Sequence, residues 1–166
     1  MSLTHWLKSA GASLLATLVM LTGCDDQRIK ELEEGVSTEQ DVRARFGEPE
    51  QVWPEADGSR TLEYNRQPAG HRNYMITIGT DGKMSALRQV LAPHNFEKVQ
   101  PGMTQEQIRR MLGKPARQMR YELRHETEWE WNWIDPPTTE MQFIVTFGPD
   151  GLVRRSASAE KLRDGP

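Results

Sequence analysis

The chain has 166 residues, 36% of them hydrophobic and 27% charged, with a formal net charge of −3. That size suits one ordinary domain or two small ones. It has no basic block of the kind that binds nucleic acid, no acidic tail, and a single cysteine that excludes an internal disulfide.

The first element is a short N-terminal head followed by an uncharged apolar run from Ser9 to Leu21. A membrane-spanning helix needs roughly 20 apolar residues, so this run reads as the core of a signal peptide. It ends Leu21-Thr22-Gly23-Cys24, then Asp25-Asp26. That tetrapeptide resembles the bacterial lipobox, which implies cleavage between Gly23 and Cys24 and acylation (palmitate among the chains) of the Cys24 thiol. Two or three acyl chains give stable membrane anchoring where one does not. Asp25 and Asp26 behind the lipid resemble an inner-membrane sorting signal. Only a few residues then separate the lipid from the first helix, within roughly 15 Å of the headgroups. Arg28 and Lys30 are therefore candidate contacts for anionic lipid.

An internal echo follows, which should be sought early. Ile29-x-x-Leu32-x-x-Gly35 matches Phe96-x-x-Val99-x-x-Gly102, and Thr38, Val42, Arg43, Phe46, Gly47 and Pro49 match Thr104, Ile108, Arg109, Leu112, Gly113 and Pro115. Each copy predicts a short helical turn (Ile29 to Glu34; Asn95 to Val99) and a glycine break. A second helix follows, with Val42 and Phe46, or Ile108 and Leu112, on one face at i and i+4. Thr104-x-x-Gln107 fits a capping box. Gly47 and Gly113 stop the helices, and Pro49 and Pro115 forbid continuation.

Strands come next. Arg60 to Asn65 puts Leu62 and Tyr64 on one face, and Tyr74 to Ile78 and Phe143 to Phe147 alternate. Asp81-Gly82 and Asp150-Gly151 mark hairpin turns, and Met84 to Leu91 and Leu152 to Ser158 close each sheet. The expected fold is α+β: two tandem units, each two helices and a three-stranded antiparallel sheet, behind a lipoprotein signal peptide. The boundaries are 1–23 for the signal peptide, 24–28 for the lipidated tether, 29–92 and 93–160 for the units, and 161–166 for a tail. With helices on one face of each sheet and the units side by side, the other faces would form a shallow concave surface.

The Gly102-Met103-Thr104 helix ending Leu112-Gly113-Lys114-Pro115, the aromatic pairs Leu62-x-Tyr64 and Trp129-x-Trp131, and the Arg66-Gln67-Pro68-Ala69-Gly70-His71 loop resemble the SmpA/OmlA (BamE-like) lipoprotein family. That resemblance covers nearly all of the chain behind Cys24. It implies a non-catalytic protein of the cell envelope, facing the periplasm and held at the outer membrane, whereas Asp25 and Asp26 favour the inner one. The doubling of the unit is similar to the architecture of the β-lactamase inhibitor protein, whose repeats form a concave surface for a partner.

The segment His125-Glu126-Thr127-Glu128-Trp129-Glu130-Trp131-Asn132-Trp133 has period two, with tryptophans on one face and glutamates on the other. The glutamates read as a solvated stripe, with Arg120 and Arg124 as neighbours. Trp129 and Trp131 read as core, and Trp133, just before Pro136 and Pro137, as the exposed one. Trp133 with Arg66 and His71 is the candidate protein-binding rim. The histidines have no metal-binding spacing, and no phosphate loop, serine elbow or Cys/His pair appears. No catalytic residue, metal or cofactor is expected. The first functional reading is an anchored interaction or scaffold module in outer-membrane protein assembly or envelope integrity, with an envelope protein and the membrane as partners. The alternative is a periplasmic inhibitor or binder of a secreted enzyme such as a β-lactamase-type hydrolase.

Overall fold

The computed structural model of the protein describes residues 25–161. The lipobox, Cys24 and the last five residues lie outside the described residues. The order is two short helices then four strands, twice over. First come α1 (Asp25–Lys30), α2 (Glu39–Phe46), β1 (Gln51–Pro54), β2 (Arg60–Asn65), β3 (Asn73–Ile78) and β4 (Met84–Gln89). Then come α3 (Pro93–Phe96), α4 (Gln105–Leu112), β5 (Arg117–Tyr121), β6 (Glu126–Asp135), β7 (Thr139–Phe147) and β8 (Val153–Glu160), with a 3₁₀ turn at Glu122–Arg124. The strands form two antiparallel four-stranded sheets, β1-β2-β3-β4 and β5-β6-β7-β8.

Three strands per sheet were expected, and β1 and β5 are the additions. Both are edge strands of four and five residues with mostly exposed side chains, too short and too open to stand out as a half-buried alternating run. Pro54 ends β1, a place only an edge strand tolerates. The leading helices also begin earlier than expected, α3 at Pro93 because proline presets the first helical residue.

Local chemistry accounts for the main helices. Thr38 and Thr104 cap α2 and α4, and Asp41 and Gln107 return the bond to the cap N–H in both, two full capping boxes. Gly47 and Gly113 end them at φ 84° and 76°, where a Cβ would be strained. The stopping carbonyls are then used: Tyr64 Oη donates to Gly47 O and Trp131 Nε1 to Gly113 O, each at 3.0 Å. Burial pushes the Tyr64 hydroxyl up to about 12, so it remains a donor.

The units do not lie side by side. Leu62, Tyr64, Tyr74 and Ile76 face α2 and form one core with Val42 and Phe46. The opposite face of the same sheet carries Glu63, Asn73 and Met75, which pair across β2 and β3 at alternate positions. Met75 belongs to the second core, with Phe96, Ile108, Leu112 and the tryptophans of β6. The α3–α4 layer is therefore sandwiched between the two sheets, in the order α2, sheet 1, α3–α4, sheet 2. Among the described residues the sheets form no shared concave surface, because α4 and the residues after it cover the face of sheet 1 that would have lined half of it.

The seam between the units is polar at its centre. Glu63 is 0% exposed. Its Oε1 accepts from Lys114 N and Asn65 Nδ2, each at 2.9 Å, and its Oε2 accepts from Trp53 Nε1 at 3.0 Å and Arg109 Nε at 3.3 Å. Asn73 Nδ2 donates to Leu112 O at 2.8 Å and Lys114 O at 3.1 Å, capping the last turn of α4. A Cβ on Gly113 would lie 2.6 Å from Asn65 Oδ1.

Ion pairs surround this framework. Glu39 joins both Arg60 and Arg43, and Lys114 joins Glu50 across the seam. Burial pushes the Glu39 carboxyl up, but the two guanidiniums outweigh it and hold it below its ordinary 4.5; Lys114, the larger influence on Glu50, lowers that carboxyl against desolvation. A carboxyl lowered by folding stabilises above its unfolded value and loses that contribution as pH falls through the folded one. Stability should therefore decline below about pH 4.5, and the Glu39→Gln, Glu50→Gln double variant should show a flatter decline in a melting series against pH.

Candidate protein-interaction surface

The two faces of β6 are built by alternation. Trp129, Trp131 and Trp133 point to the α3–α4 layer, and Glu126, Glu128, Glu130 and Asn132 to the far side of sheet 2. Glu128 lies opposite Thr146 and Met119, Glu130 opposite Ile144 and Arg117, and Asn132 opposite Gln142. Arg155, Ala157 and Ala159 of β8 complete the rows.

The glutamate stripe is not the solvated face expected. Glu130, Asn132 and Thr146 are buried, and Glu126 and Glu128 are largely shielded. Arg155 clamps Glu126 with two bonds of 2.8 and 3.0 Å and reaches Glu128 at 3.6 Å. The Arg155 guanidinium holds the Glu126 carboxyl below its ordinary value despite some desolvation. Arg124 approaches both glutamates and lies over the Tyr121 ring at 4.2 Å. Arg120, the other expected neighbour, pairs with Glu122 instead. Arg155 was missed because its strand partner is set by the hairpin bulge at Thr146/Phe147, which no local pattern reveals. Beside this surface Leu123 is fully exposed, the one large apolar side chain there that projects from a turn.

Trp133 corrects the expected rim. It is 4% exposed. Its ring meets Phe96 edge-on at 5.1 Å, and Phe96 stacks on Phe143 at 4.2 Å. The prolines that suggested a strand end lie beyond Asp135, so Trp133 is still inside the ladder and pairs with Met141. Trp129 and Trp131 are buried as expected. Trp133 Nε1 has no hydrogen-bond partner, alone among buried side-chain polar atoms of the described residues. A buried donor without a partner carries its desolvation cost uncompensated. Trp133→Phe should therefore leave the melting temperature unchanged or raise it, whereas Trp133→Ala should lower it through the cavity.

The Arg66 to His71 loop does reach β6, but at the backbone of Asn132. β5 stops pairing at Glu130, which leaves that edge of β6 open beyond it. Gln67 fills the gap as a strand would: its Nε2 donates to Asn132 O at 2.7 Å and its Oε1 accepts from Asn132 N at 3.1 Å. Asn132 Nδ2 also donates to Pro68 O at 3.3 Å. The loop is thus a clamp between the units. Arg66 lies over the Phe46 ring at 5.5 Å, and His71 is half-buried. Lys30 is exposed at the end of α1, and Asp25, Asp26 and Arg28 belong to the same helix. Gly23 and Cys24 lie outside the described residues.

No helix among the described residues is long and apolar enough to cross a membrane. With this geometry in place, the chain can be set beside known proteins. Residues 89–157 match the family model of the outer membrane protein assembly factor BamE domain. The match runs from the last residue of β4 into β8 and covers less than half of the chain. A DUF4309 family protein (YjgB) from Bacillus subtilis is 23% identical, over 81% of this chain and 86% of that one, with a TM-score of 0.32. A putative β-lactamase inhibitor protein from Streptococcus mutans is 13% identical, over 74% of this chain and 82% of that one, with a TM-score of 0.33. No curated protein matches. Likenesses at these scores carry no argument about fold or function, so the firm statement is that the second helix–sheet unit of this chain is similar to a BamE domain.

Proposed function

We propose that the chain is a lipoprotein of the bacterial cell envelope, anchored through Cys24 and facing the periplasm. It acts there as a non-catalytic protein-interaction module in outer-membrane protein assembly or envelope integrity. The match of residues 89–157 to the BamE domain carries this reading. The first unit is then a diverged copy of the second: the capping boxes at Thr38 and Thr104 and the Tyr64–Gly47 and Trp131–Gly113 bonds recur at equivalent places. A layered, interlocked body of this kind offers a rigid surface, and the far side of sheet 2 with the Leu123 turn is the proposed contact face. The match favours the outer membrane, against the retention reading of Asp25 and Asp26.

The experiment has two arms. The full chain should take up a labelled fatty acid, and Cys24→Ala should take up none, since no other thiol can accept it. Solubilised from envelopes with mild detergent, the wild-type chain should co-purify subunits of the outer-membrane protein assembly machinery. Labelling of the alanine variant would remove the anchor. Fractionation with the inner membrane, with no assembly subunit recovered, would remove the assembly role.

A further inference from the structure

The two sheets end in equivalent edge strands, β4 and β8, and only one of them is guarded. Leu87 of β4 pairs with Ile76, as Ser156 of β8 pairs with Val145. The outward N–H of Leu87 donates to Glu34 Oε1 at 3.0 Å, so a side chain of the first unit caps that edge. Gly35 corresponds to Gly102, which puts Pro101 in the place of Glu34. Proline has no acceptor side chain to offer Ser156. The β8 edge has therefore lost the cap that its twin retains.

The remaining features of β8 suit strand pairing. Residues 154 to 160 are all exposed. Lys161 N donates to Glu140 O at 2.9 Å, which fixes the alternation: odd-numbered residues bond to β7, and Ser156, Ser158 and Glu160 turn N–H and C=O outward. The middle of the strand is Ser156-Ala157-Ser158-Ala159, with no bulky, charged or proline residue to obstruct an incoming chain. The opposite edge of the same sheet, β5, carries Arg117 and Arg120, the usual protection of a free edge.

We infer that β8 pairs with β8 of a second copy of this chain, antiparallel about a two-fold axis at Ala157. The choice of a second copy rests on charge. The strand is basic at one end, Arg154-Arg155, and acidic at the other, Glu160. Antiparallel self-pairing sets each basic end against the acidic end of the other copy, whereas parallel pairing would oppose like charges. A two-fold at Ala157 makes Ser156 and Ser158 reciprocal hydrogen-bonded partners and leaves the two Ala157 residues as a narrow, non-bonded pair, about 4.5 Å apart at Cα. The two four-stranded sheets then join into one of eight strands, an isologous contact.

The test uses the full chain in detergent micelles, with Cys24→Ser so that an introduced thiol stands alone. Ala157→Cys should oxidise to a disulfide-linked dimer, since the paired Cα atoms fall in the range a disulfide spans. Ala159→Cys should not, because its counterpart lies about 13 Å away along the strands. In the chain without added cysteine, sedimentation should report a dimer that Ser158→Pro converts to a monomer. That proline removes only an outward N–H, so the circular dichroism spectrum and melting temperature should hold. The cysteine comparison reads the geometry even if the proline variant were unstable. A wild-type chain that sediments as a monomer at high micromolar concentration overturns the inference. So does cross-linking at residue 159 equal to that at 157, or a β8 thiol trapped only on a different protein.

Discussion

Glu63→Ala is expected to destabilise the protein by about 3–5 kcal/mol, the cost of breaking a buried charge network from one side. The carboxylate has no solvent exposure, and four donors converge on it: the Trp53 indole and the Asn65 amide from its own unit, and Arg109 of α4 and the Lys114 N–H just after that helix. Removing it leaves the Trp53 indole N–H without its acceptor and Arg109 without its counter-charge, while the Lys114 N–H keeps only Asn65 Oδ1, at 3.0 Å. Arg109→Ala should cost less, because the guanidinium is partly exposed and water can take its place. Urea unfolding of the two variants against wild type checks the ranking. Equal, small losses would mean that the seam is held by its apolar part alone.

The second large effect is Trp131→Ala, again about 3–5 kcal/mol for truncating a fully buried large aromatic. Trp131 fills the middle of the α3–α4 layer, meets Trp129 edge-on at 6.1 Å, and ties Gly113 O to the sheet. Trp131→Phe separates the two contributions: it keeps most of the volume and leaves the Gly113 carbonyl unpaired, a loss of about 1–3 kcal/mol. Tyr64→Phe makes the same cut in the first unit, at Gly47 O. Its effect, read by calorimetry, should be smaller than that of Trp131→Ala by at least the packing part. If Trp131→Ala melted within a degree or two of wild type, Trp131 would not be the central pillar of that core.

Much of this architecture is legible in the sequence. The capping boxes, glycine stops and Asp-Gly hairpins act through neighbours a few residues apart, so α2, α4, β2 and the two hairpins follow from local spacing. The tryptophan face of β6 followed from period two. What escaped detection depends on distant partners. Arg60 to Asn65 alternates, so Glu63 reads as a solvent position, and only the second unit makes it a buried one. A signal was available in β3, where Met75 puts an apolar side chain on the face opposite Tyr74 and Ile76. A strand apolar on both faces asks to be covered twice. Trp133 was misplaced because nearby prolines suggested a strand end two residues too early. Gln67 could not be foreseen as a surrogate strand, since nothing local marks where β5 stops pairing.

The sandwiched position of α3 and α4 has a consequence for the order of assembly. Sheet 1 is complete in sequence at Gln89, yet one of its faces stays bare until the chain beyond Pro93 has been made and folded back. A nascent chain thus passes through a stage in which Met75 is wet and Glu63 has neither Arg109 nor the Lys114 N–H. The first half can begin its own sheet early, but its seam closes only with the second half, so the two halves should melt together as one cooperative body.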